Sequence, residues 1–110
     1  MEMLKDKHVV ITGGGSGIGA SIAEALAKTG AKTTIMGRDY QRLQEKAEQL
    51  PQGFATAVDV TDQEKVNIAF QRAVQQHGVI DILINNAGNA ISVPFEKMKA
   101  EQWNEMISLN

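Results

Sequence analysis

Cysteine is absent from the 110 residues, which excludes a disulfide framework, a thiolate metal site and a cysteine nucleophile at once. The absence fits a reducing compartment. No apolar run approaches the ~18 residues that crossing a bilayer requires. The opening Met1-Glu2-Met3-Leu4-Lys5-Asp6 lacks the apolar core of a secretory signal, so a cytoplasmic, membrane-free protein is expected. Charge of one sign is lacking too. Eleven basic against thirteen acidic residues leave −2 with no basic run, which argues against a nucleic-acid partner. The two histidines, His8 and His77, stand apart without metal-ligand spacing; they read as surface or capping residues, and no metal is expected. Repeats, low-complexity tracts and linkers are missing, and the length suits one domain over 1–110.

What is present is a globular composition, 43% hydrophobic and 22% charged, with short apolar runs alternating with segments of helical period. His8–Ile11 is a β-branched run that stops at glycines, and Ile18, Ile22, Ala25 and Leu26 then share one helical face before Gly30. Thr33–Met36 is a second strand ended by Gly37. Asp39 is placed to cap a second helix with the stripe Tyr40, Leu43, Ala47 and Leu50. Phe54–Val58 is a third strand. Thr61-Asp62-Gln63-Glu64 reads as a capping box for a helix with Val66, Ala69, Phe70, Ala73 and Val74 inward, closed by Gly78. Val79–Ile84 is a fourth strand, and Trp103, Met106, Ile107 and Asn110 begin a last helical stripe. Continuous apolar strands alternating with helices imply an α/β fold: a parallel, doubly wound Rossmann-type sheet in strand order 3-2-1-4.

The chemistry concentrates in Thr12-Gly13-Gly14-Gly15-Ser16-Gly17-Ile18-Gly19, between the first strand and the first helix. A phosphate needs converging backbone N–H groups at a helix N-terminus, and glycine alone lets the backbone come close at positive φ. A turn needs one or two glycines; five in seven residues point to a bound nucleotide. Gly14 and Gly19 have Walker A spacing, but Ala20-Ser21 stands where Lys-Ser is required, so an NTPase is disfavoured. Gly15, Gly17 and Ala20 satisfy the dinucleotide pattern G-x-G-x-x-A. At the end of the second strand, an NAD enzyme places a carboxylate for the ribose 2′-hydroxyl. Here Gly37-Arg38 offers none, and a guanidinium can hold a 2′-phosphate; Asp39 is the counter-argument, but its place suits the cap of the second helix better, so NADP(H) is favoured over NAD(H).

Gly13, Gly17 and Gly19 also satisfy T-G-x-x-x-G-x-G, and the loop resembles that of the short-chain dehydrogenase/reductase family. Further matches fall at the proper places in the alternation. Asp59-Val60 follows the third strand, where the family contacts the adenine. Asn85-Asn86-Ala87-Gly88 follows the fourth, where the family's N-N-A-G steadies the sheet and lines the cofactor cleft. Asn110 lies where the family carries the asparagine of its catalytic tetrad. The resemblance thus implies a cofactor set of Gly13, Gly15, Ser16, Gly17, Ile18, Gly19, Arg38, Asp59, Val60, Asn86, Ala87 and Gly88, with Asn110 catalytic. It implies hydride transfer between nicotinamide and a ketone or secondary alcohol, a 3-oxoacyl thioester being one such substrate, by a protein that is a homo-oligomer at full length.

The family's serine and its Tyr-x-x-x-Lys are not found here. The single tyrosine, Tyr40, has Gln44 four residues on, where the family carries its lysine, so no cation stands at the spacing that the family's acid/base tyrosine needs. The chain therefore reads as a cofactor-binding half of such an oxidoreductase, its fold truncated after the fourth strand and the following helix. The alternative is a stand-alone, non-catalytic nucleotide-binding module. Either reading leaves the fourth strand as an exposed apolar sheet edge, prone to pair with another chain.

Overall fold

The computed structural model describes residues 3–15, 17–59, 61–86 and 92–94. Its elements run β1 (His8–Thr12), α1 (Gly17–Ala27), β2 (Lys32–Gly37), α2 (Tyr40–Glu48), β3 (Gly53–Ala57), α3 (Gln63–His77), β4 (Ile82–Asn85) and β5 (Ser92–Pro94). The sheet order is β3-β2-β1-β4-β5. β1 pairs in parallel with β2 and β4, and β2 in parallel with β3, so the expected 3-2-1-4 order is what forms. Thr12, Met36 and Asn85 share a register row at the carboxyl ends of three adjacent strands. In an open α/β sheet that edge is where ligands bind.

Successive strand residues point to opposite faces, and the two faces carry separate cores. Val10, Met36 and Leu83 face α3, where Phe70, Val66 and Ala73 are buried against them. Val9, Ile11, Ile35 and Ala55 face α1 and α2, meeting Ala23, Ala27, Leu43 and Ala47. β1, central and covered on both sides, is buried along its whole length.

Four expectations are corrected. First, α1 turns inward Gly19, Ala23 and Ala27, with Ile22 and Leu26 half-buried, while Ile18 is 71% exposed and Ala25 is also exposed. Small residues let the helix approach the sheet, so the larger side chains lie at its flank. Secondly, α3 is capped by Asp62, whose carboxylate accepts from the Lys65 N–H at 3.2 Å. Thr61 instead donates its hydroxyl to Asp59 at 2.7 Å. Val74 is partly exposed. Thirdly, β4 starts at Ile82 rather than Val79, and its outer edge is not free: β5 pairs with it antiparallel, Leu83 opposite Val93. The sheet thus continues one strand beyond the expected stop. Finally, His8 is wholly buried. Its Nδ1 lies 3.0 Å from the Gly78 carbonyl, and its Nε2 lies 2.7 Å from the Thr34 hydroxyl. The partly buried His77 ring meets it edge-on at 5.2 Å. The last helical stripe, Trp103 to Asn110, lies outside the described residues.

Asp39 caps α2 as expected, accepting from the Arg42 N–H at 3.2 Å, and Leu43, Ala47 and Leu50 of its stripe are buried, but Tyr40, expected with them, sits in the first turn and is 53% exposed. Gly78, at φ 86°, closes α3 with its N–H on the Val74 carbonyl at 2.7 Å.

Candidate functional site

β1 ends inside the protein, and the chain must turn there to begin α1. Gly13 makes the turn at φ 69°, donating its N–H to the Met36 carbonyl of β2 at 2.7 Å. Gly14 leans on Ile35, where a Cβ would come within 2.7 Å of the side chain. Gly19 is tighter still: a Cβ there would overlap the Gly13 carbonyl and lie 2.8 Å from the Asn86 amide nitrogen. Gly14 and Gly19 are therefore packing glycines. Gly17 differs from both. It stands at φ 61°, and a Cβ built on it meets nothing within 4 Å. The first residue of α1 thus presents bare backbone to open space, with the positive end of the helix behind it.

The neighbouring strand ends steady this loop. Thr12 donates its hydroxyl to the Asn85 side-chain oxygen at 2.8 Å, a buried bond joining β1 to β4. Asn86 extends its amide to the Gly13 carbonyl at 3.4 Å. The Asn-Asn pair therefore holds the loop from below.

Beside the loop runs a cleft of about 420 Å³, with Met36 and Val58 among its walls and Gly13, Gly15, Arg38 and Arg42 around it. Arg38 follows β2 directly and is 75% exposed, its guanidinium 3.6 Å from the Asp59 carboxylate beyond β3. Asp59 also accepts from the Thr61 N–H at 3.0 Å and from its hydroxyl. Those two bonds, and then the Arg38 charge, hold its carboxyl below the usual range. Lys65 borders the adjoining hollow with Arg38 and Asp59. Among the described residues no group of three or more histidines or carboxylates is placed to hold a metal. No helix among them is long and apolar enough to cross a membrane.

Of the residues singled out by sequence, the fold brings Gly13, Gly15, Gly17, Gly19, Arg38, Asp59 and Asn86 to this one edge, and Ile18 lies exposed beside them. Ser16, Val60, Ala87, Gly88 and Asn110 lie outside the described residues. Arg42, which the sequence patterns do not single out, also borders the cleft. Its position in the first turn after a capped strand-end loop was the available signal.

The family model of the short chain dehydrogenases matches residues 7–110. The chain belongs to that family. An uncharacterized oxidoreductase of Staphylococcus aureus (strain USA300) is 41% identical over 112 residues, covering all of this chain and 48% of that protein. The chain therefore spans about half the length of the curated relatives it matches. Among solved structures, a 3-ketoacyl-(acyl-carrier-protein) reductase from Brucella melitensis complexed with NADH superposes with a TM-score of 0.71 at 36% identity, over 73% of this chain and 34% of that one. An actinorhodin polyketide ketoreductase variant with NADPH gives 0.73 at 27% identity, over 79% and 36%.

Proposed function

We propose that this chain is the NADP(H)-binding half of an oxidoreductase that moves hydride between nicotinamide and a ketone or secondary alcohol. The observation that carries the reading is Gly17: positive φ, open space where a side chain would stand, and a cleft with Arg38 alongside. A pyrophosphate would sit on that bare backbone, and the adenosine would lie along the cleft toward Asp59. Gly13, Gly15, Ser16, Gly17, Ile18 and Gly19 form the cradle, and Val60, Asn86, Ala87 and Gly88 flank the rest of the dinucleotide. Bound nicotinamide supplies the hydride donor or acceptor. These residues bind and orient it, and Asn110 serves a proton relay. Membership of the family and the oxidoreductase relatives support the reaction class, and the ketoacyl reductase neighbour supports a 3-oxoacyl thioester among its substrates. The whole protein acts as a homo-oligomer in the cytoplasm on this reading, with a small carbonyl or alcohol as its partner.

The test is titration with NADPH, followed by fluorescence, of the protein and of its Gly17→Val variant. Valine fills the open space and also strains the left-handed turn by about 1–3 kcal/mol. The variant should keep its secondary structure by circular dichroism and lose NADPH binding. Equal affinity would remove the cradle from this loop.

A further inference from the structure

Two arginines, Arg38 and Arg42, line the cleft together with Asp39, and they differ in what already holds them. Arg38 faces the Asp59 carboxylate at 3.6 Å, so the pair carries little net charge toward an incoming anion. A phosphate approaching Arg38 must share it with Asp59 and face the repulsion of that carboxylate. Asp59 stays ionised at neutral pH, because Thr61 gives it two hydrogen bonds besides the contact with Arg38.

Arg42 is placed otherwise. Its backbone N–H is fixed on Asp39, and its aliphatic stem is laid along the glycine loop. A Cβ built on Gly15 would lie 3.7 Å from both its Cγ and its Cδ. Asp39, the carboxylate nearest in sequence, is engaged with the α2 backbone. Among the described residues the side-chain ion pairs are Arg38–Asp59 and Lys46–Glu24, and Arg42 belongs to neither. A guanidinium with a packed stem and no ion partner forfeits little on taking up an anion, and its fork fits two phosphate oxygens.

We infer that Arg42 is a specificity-determining residue of this cleft, supplying the cation that selects an adenosine phosphorylated on its ribose 2′-oxygen, while Arg38 stays paired with Asp59. The inference rests on the dinucleotide reading above and reassigns the 2′-phosphate contact within it.

Dissociation constants for NADPH and NADH are measured at one ionic strength for the protein and for its R42Q, R42K and R38Q variants. Both arginines are exposed, and R42Q keeps the backbone N–H that meets Asp39, so the fold is retained; circular dichroism checks this. R42Q should weaken NADPH by about tenfold or more and change NADH by less than about twofold. R42K should recover part of the loss, since it restores charge without the fork, and R38Q should cost less NADPH affinity than R42Q. If R42Q leaves NADPH binding intact, or weakens both dinucleotides alike, the inference is overturned while the dinucleotide reading stands. If R38Q abolishes the discrimination by itself, the selection belongs to Arg38. Should the unsubstituted protein bind neither dinucleotide, the underlying reading fails and the inference falls with it.

Discussion

His8 is a histidine that the fold keeps neutral. Its Nδ1 lies against the Gly78 carbonyl, so that nitrogen carries the proton, and its Nε2 then accepts from the Thr34 hydroxyl. A second proton would sit in a buried site already fully bonded, and burial lowers the pKa from 6.5 to about 4, with His77 adding to the effect. His77 shifts the same way, by burial and then by the nearby Lys32 charge. Because the folded pKa lies below the unfolded one, the unfolded chain binds more protons between pH 6.5 and about 4. Stability therefore falls as pH drops through that window, by up to about 3 kcal/mol from His8. Urea unfolding at about pH 7 and about pH 4.5 should show a clearly lower midpoint in acid, and His8→Leu should flatten the difference. A midpoint unmoved by acid would mean that His8 is solvated. A second residue-scale prediction concerns Gly37, where an added Cβ would make ordinary contact with Leu43 at 3.4 Å. The site thus has room for a carboxylate, and Gly37→Asp should move the ratio of the NADPH and NADH dissociation constants toward NADH by about tenfold. An unchanged ratio would place the 2′-oxygen elsewhere.

At the scale of elements, the glycine loop and α1 form one unit whose parts fail differently. Gly19 lies under the Gly13 carbonyl, so Gly19→Ala must push apart loop and helix backbone that no rotamer change can relieve. It should cost about 1–3 kcal/mol of stability and weaken NADPH binding with it. Gly17→Val should separate the two effects, retaining a cooperative melt while binding is lost. If Gly19→Ala melts like the unsubstituted protein, the close approach at that point is absent. The same elements show what sequence can reveal. The apolar runs of β1 to β3 and the caps Asp39 and Gly78 are local signals, and they place those elements within a residue or two. The phase of α1 is not local: it follows from how near the helix may come to the sheet, which favours Ala23 and Ala27 over larger neighbours. β5 has three residues, one of them proline, too few for any alternation to register. The setting of His8 depends on Thr34 and Gly78, 26 and 70 residues away. In the site, the glycines and Asn86 are legible because their spacing is itself the chemistry. The Arg38–Asp59 contact arises only when β2 and β3 pair.

For the whole molecule, binding and turnover come apart. The carboxyl edge gathers the glycine loop, the cleft and two arginines, and on the proposed function a polypeptide of these 110 residues is expected to bind a dinucleotide there. Hydride transfer to a carbonyl also requires a proton at the carbonyl oxygen. The one tyrosine, Tyr40, cannot deliver it: it opens α2, 53% exposed, with its hydroxyl donated to the Gln44 side chain at 3.2 Å. The buried His8 packs under α3, bonded to Gly78 and Thr34, and is committed there. We therefore expect the 110-residue polypeptide to bind NADPH without oxidising it. At about one hundred times the dissociation constant, NADPH should stabilise the fold by about 2.7 kcal/mol and raise the melting temperature by about 10 °C or more. With a panel of ketones and a 3-oxoacyl thioester added, absorbance at the NADPH band should not fall. A thermal shift accompanied by steady NADPH consumption would place a proton donor among these residues. No shift at all would remove the site, because a ligand that binds the folded state alone must stabilise it.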